Sequence, residues 1–144
     1  MSNIKEILSK YKNIAMVGVS NDPQKASTIV MKYMQKYGFK VYPVNPKAKG
    51  KRILGEEVFE KITDIKDRID IVDVFRPSKE VLAIAEDTIK IGAKVLWLQL
   101  GIKSEEVKKL MEINNIRYIE NKCTKMEYQS HFLKVRQVFP ALQE

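Results

Sequence analysis

Apolar residues are gathered into short runs at positions 13–19, 39–44, 70–75 and 94–100, with a briefer one at 117–120. The first four show little polar alternation, which is the pattern of strands buried on both faces in a parallel sheet. Between the runs, apolar residues recur at helical spacing. Ile4, Ile7, Leu8 and Tyr11 mark a helix over 3–12, and Ile29, Val30, Tyr33, Met34 and Tyr37 mark one over 26–37. Gly38 stands where a left-handed C-terminal cap belongs. Ser78 reads as the N-cap of a helix reaching Ile91 and closed by Gly92. Ser104 reads as the cap of another, whose first turn carries Glu105 and Glu106, where the dipole favours anions. Residues 53–59 read as irregular with a short helical turn. The tail over 125–138 reads as helical, with Tyr128, Phe132, Val135 and Phe139 placed to dock on the body.

Strands alternating with helices through short connections predict an α/β fold, a doubly wound parallel sheet of five strands with helices on both faces. Right-handed crossovers suggest the order 3-2-1-4-5. The 144 residues suit one domain over 1–144, with a helix at 1–12 and a helical tail at 125–144. In such sheets ligands bind beyond the carboxyl ends of the strands, at the switch point, here expected between strands one and four. The loops to inspect therefore follow Val19, Val44, Phe75 and Leu100.

Composition narrows the chemistry. Lysine and arginine number 26 against 18 acidic residues, a net charge of +8. The excess admits nucleic acid, an acidic membrane surface or a phosphorylated small molecule as partner. Its densest part is Lys47, Lys49, Lys51 and Arg52. One cysteine, Cys123, excludes an internal disulfide and a Cys-rich zinc site, and one histidine, His131, excludes a poly-His metal site. No apolar run reaches the length of a membrane span, and residues 1–12 lack a signal-peptide core. The expectation is a cytoplasmic protein of a reducing compartment.

The first loop, Gly18-Val19-Ser20-Asn21-Asp22-Pro23-Gln24-Lys25, keeps only the first glycine of a dinucleotide fingerprint. Gly18 permits close backbone approach, and Ser20, Ser27 and Thr28 offer hydroxyls. Lys25 offers charge at the start of a helix whose free N–H groups suit a phosphate. The second loop, Asn45-Pro46-Lys47, lacks the carboxylate that an NAD site places on the ribose. Its lysines suit a phosphorylated ribose, as in NADP or coenzyme A. In the third loop, Phe75-Arg76-Pro77, the guanidinium can fork onto a phosphate or a carbonyl, or cap a helix. Gln99 ends an apolar strand and needs a partner, either ligand or backbone. Trp97 reads as core.

Taken together, the stretches 17–25, 41–47, 53–55, 73–77, 92–99 and 121–123 resemble, in order, the small stand-alone CoA-binding proteins. The domain of that family is similar to the N-terminal domain of the succinyl-CoA synthetase α-subunit. The resemblance implies a Rossmann-like fold that holds coenzyme A, or an acyl-CoA, across the carboxyl ends of the strands. Gly18, Val19, Ser20 and Lys25 would then meet the diphosphate region, and Pro23 of the same loop would also bind the cofactor. Asn45, Pro46 and Lys47 would lie near the phosphorylated ribose and adenine. Phe75, Arg76 and Pro77 would line the opposite wall, with Gln99 further along. Ala26-Ser27 stand where many members carry a glycine. The sequence offers no catalytic constellation, so the expected role is binding without chemistry, with any acyl-CoA enzyme partner unknown. Cys123 could form a mixed disulfide with the CoA thiol. The alternatives are an NADP-dependent reductase, which the missing glycines disfavour, and a nucleic-acid module, which the lack of interleaved aromatics disfavours.

Overall fold

Ile14 and Met16 face one side of the first strand and Ala15 and Val17 the other, and all four are buried. This two-sided burial repeats along the sheet of the computed structural model, which describes residues 3–134. The five parallel strands are β1 (Asn13–Val17), β2 (Lys40–Val44), β3 (Ile71–Val74), β4 (Val95–Leu98) and β5 (Arg117–Ile119). Helices α1 (Ile4–Lys10), α2 (Ala26–Lys36) and α5 (Thr124–Tyr128) cover one face. Helices α3 (Val81–Ile91) and α4 (Glu105–Ile113) cover the other. Trp97 has no exposed surface, and its indole N–H donates to the Lys122 carbonyl at 2.8 Å. It is core, as read from the sequence.

The doubly wound parallel sheet is the expected architecture, but the strand order is corrected. β3 pairs with β1, Ile14 opposite Ile71 and Val17 opposite Val74. The order is therefore 2-1-3-4-5, not 3-2-1-4-5. Pro43 supplies a physical reason. Its carbonyl points away from β1 and accepts from Phe59 N at 3.0 Å. The missing proline N–H lies on that same outer side, and a strand with such a gap belongs at a sheet edge. The switch point moves accordingly, from between strands one and four to between β1 and β3.

Local elements also differ from those expected. Residues 53–59 hold no helical turn; a small antiparallel hairpin pairs Arg52–Ile53 with Glu56–Glu57. Ser78 opens a 3-10 turn, Ser78–Glu80, and does not cap α3; its hydroxyl accepts from Lys103 N at 3.2 Å. Gly92 closes α3 in the left-handed conformation, as expected. Beyond α5 the chain widens into a π-type turn over Gln129–Leu133. Tyr128 and Phe132 dock as predicted, while Val135 and Phe139 fall outside the described residues. Ser104 does cap α4, its hydroxyl accepting from Val107 N at 3.2 Å. Ser104→Ala should cost about 1 kcal/mol, read as a lower urea midpoint with an unchanged m-value.

Candidate functional site

The carboxyl ends of β1, β2 and β3 open into a cleft of about 320 Å³. Gly18 forms its floor where β1 ends, with φ of +93°. A Cβ there would stand 2.8 Å from Arg76 Cδ and 2.9 Å from the Phe75 carbonyl oxygen, so only glycine lets these two strand ends approach. The Gly18 N–H donates to the Val44 carbonyl at 2.8 Å, and Phe75 N–H donates to Val17 O at 2.8 Å. Three strand ends are thereby tied at one point.

Asn45 stitches two of the loops together. Its side-chain amide donates to the Val19 carbonyl at 2.8 Å, and its Oδ1 accepts from Lys47 N at 2.9 Å, starting the turn Pro46–Ala48. This leaves Lys47 exposed at the rim. On the facing wall Arg76 forks onto Glu80, Nε to Oε1 at 3.0 Å and Nη2 to Oε2 at 2.7 Å. The fork raises the guanidinium above its ordinary value and draws the Glu80 carboxyl below its own.

Of the predicted residues, the fold gathers Gly18, Asn45, Pro46, Lys47 and Arg76 around the cleft. Val19 is fully buried beside it. Ser20, Pro23 and Lys25 lie on the turn into α2, with Pro23 and Lys25 exposed. That turn is internally bonded: Ser20 N donates to Ser27 Oγ at 3.0 Å, and Thr28 Oγ1 donates to Ser20 O at 2.7 Å. The only hydroxyl hydrogen of Thr28, read as a ligand donor, is thus spent on the loop, while Ser27 Oγ acts in it as an acceptor. No side chain caps α2, and no acidic residue stands in its first turn. Phe75 is half-buried against the α1–α2 core, and Pro77 is exposed ahead of α3.

Gln99 is not brought to the cleft. It is 4% exposed, and its amide donates to Asp73 Oδ1 at 2.6 Å and to Thr124 Oγ1 at 3.0 Å. Thr124 also donates to Asp73 Oδ2 at 3.1 Å. The partner Gln99 needs is a pair of side chains, neither of the two options read from the sequence. Burial pushes the Asp73 carboxyl up to about 7 despite these bonds. Cys123 precedes Thr124, and burial raises its thiol above the ordinary value, which disfavours the reactive thiolate. His131 sits 3.5 Å from Glu127 on the tail.

Sequence reasoning missed Lys61 and Ile62, and also Glu80, Ile84 and Asp87, which line the cleft. The last three recur at i, i+4 and i+7, the spacing of one helical face, so the signal was present. The basic cluster is partly paired: Lys49 reaches Glu60 at 3.2 Å, and Arg52 donates to the Gly55 carbonyl. A shallower hollow of about 640 Å³ lies outside β2, between Tyr42 and residues 57–67. None of the predicted site residues borders it.

A family described as a CoA binding domain matches residues 12–129. The chain is 35% identical over 127 residues to the Bacillus subtilis (strain 168) protein YneT, covering 88% of this chain and 93% of that one. It is 32% identical over 112 residues to the I subunit alpha of an ADP-forming acetate–CoA ligase from Pyrococcus furiosus. That match covers 73% of this chain but 24% of the ligase subunit. Among solved structures, a hypothetical protein from Pyrococcus horikoshii OT3 superposes with a TM-score of 0.84 at 39% identity. The superposition covers 88% of this chain and 87% of the other.

Proposed function

We propose, since this chain belongs to the CoA binding domain family, that it holds coenzyme A or an acyl-CoA in the cleft at the carboxyl edge of its sheet, without chemistry of its own. The observation that carries this reading is the Gly18 floor, where the backbone of β1 meets Arg76 and Phe75 with no room for a Cβ. This packing fixes the ends of β1 and β3 side by side, and the cleft that opens beside them is where a bulky anion can lie. Lys47, Lys61 and Arg76 supply positive charge around it. The uncapped N-terminus of α2, with Lys25 beside it, offers free N–H groups to a diphosphate. Lys47 is the residue we assign to the phosphorylated ribose, and the absence of a carboxylate at the end of β2 supports that choice. The raised thiol of Cys123 and the position of His131 on the tail support a binding role over a nucleophilic one.

The test is a thermal shift series with CoA, NADP, NAD and an oligonucleotide, because a ligand stabilises by RT ln(1 + [L]/Kd). CoA should give the largest shift. Lys25→Ala and Arg76→Ala should each weaken CoA about tenfold, with the melting point of the free protein nearly unchanged. A shift with NADP alone, or full affinity in both variants, would overturn the reading.

A further inference from the structure

Three acidic side chains line a cleft that we assign to a polyanion, and two of them are spoken for. Glu80 is held by the Arg76 fork and Glu60 by Lys49 at 3.2 Å. The third, Asp87, has a single ion-pair partner among the described residues, the exposed Lys90 at 3.9 Å. No hydrogen bond within the described residues reaches its carboxylate. An acceptor-only group against an anionic ligand is unfavourable unless the ligand brings it a donor.

Its surroundings identify which part of the ligand that is. Asp87 lies about two turns beyond Glu80, the residue that leads into α3, and Ile84 between them lines the same cleft. The separation along the axis is about 10 Å at 1.5 Å per residue, close to the length of a nucleoside. Around Ile84 the cleft is walled by Ile62, Val44 and Val17. Away from Arg76 the cleft thus offers an apolar wall with Asp87 at its far end, and Glu60 and Lys61 also belong to its lining. That is a receptor for a flat ring carrying an exocyclic N–H. We infer that Asp87 is the specificity residue of this site, accepting a hydrogen bond from the 6-amino group of an adenine lying on the Ile62–Ile84 wall. This rests on the reading of the cleft as a CoA site.

The probes are CoA and 1,N6-etheno-CoA, whose bridged adenine has no amino hydrogen and whose phosphates are unaltered. Both are titrated into the wild-type protein and into Asp87→Ala. The wild type should bind CoA ten- to a hundredfold more tightly than the etheno analogue, about the worth of one charge-assisted bond. In Asp87→Ala the CoA affinity should fall to that of the analogue, whose own affinity hardly moves. A preference that survives in Asp87→Ala, or a wild type that does not discriminate, would overturn the assignment while leaving the CoA site standing. Binding of neither probe to the wild type would instead overturn the CoA reading. Because Asp87 is half-exposed and holds no hydrogen bond within the described residues, the melting point of the unliganded variant should match the wild type, which separates lost recognition from lost folding.

Discussion

Gly18→Ala is expected to lose roughly 3 kcal/mol of stability and most of the CoA affinity. Two costs add. A side chain at a φ of +93° is strained by about 1–2 kcal/mol. The new Cβ also presses within 2.9 Å of the Phe75 carbonyl and 2.8 Å of Arg76 Cδ. Arg76 can swing aside, at the expense of its fork onto Glu80. Phe75 cannot, because its N–H is fixed to Val17 O at 2.8 Å. For a chain of this length the loss corresponds to a melting point lower by about 10 °C. Gly50→Ala is the control. Its φ is +80°, but nothing stands within 4 Å of the added carbon, so it should show the conformational cost alone. If the two variants melt together, the close approach of β1 and β3 is not what selects glycine at position 18.

The second large effect concerns pH. Asp73 ionises near its ordinary 3.8 in the unfolded chain and at about 7 in the fold, where burial disfavours the charged form. Between those values the native state keeps a proton that the unfolded state has released. The contribution is therefore complete below about pH 4, declines as pH rises through the window, and is gone above 7. Its size is of order 4 kcal/mol at most. Asp73→Asn removes the titration, and the Gln99 amide can turn its oxygen toward the new donor. Urea melts from pH 5 to 8 should show the wild type losing stability relative to Asp73→Asn as pH increases. Parallel curves would mean that Asp73 does not carry the proton.

The strands were legible because their chemistry is local: a continuous apolar run such as residues 13–17 or 95–98 has few other stable fates. The Gly18 turn, the Ser104 cap and the Gly92 stop are local as well. The order of the strands was misread as 3-2-1-4-5, although Pro43 held the clue that β2 must be an edge. Which strand flanks β1 depends on a crossover, and hydrophobic periodicity says nothing of crossovers. The site divides along the same line. Gly18, Asn45, Lys47 and Arg76 follow directly from their positions at strand ends. Ile62 and Asp87 reach the cleft only through the packing of α3 against residues 62–64, a contact between segments far apart in sequence. Gln99 was read as a possible ligand group because its partners, Asp73 and Thr124, lie 26 and 25 residues away.

The ring of Tyr128 meets those of Tyr33, Tyr37 and Phe39, with centroids 5.0–6.2 Å apart. During synthesis the three earlier rings leave the ribosome about 90 residues before their lid, a delay of roughly 5–20 s at ordinary elongation rates. For that interval Phe39 and Tyr37 have the earlier lysines Lys12 and Lys36 over their rings, and the Tyr128 contact is the last to be added.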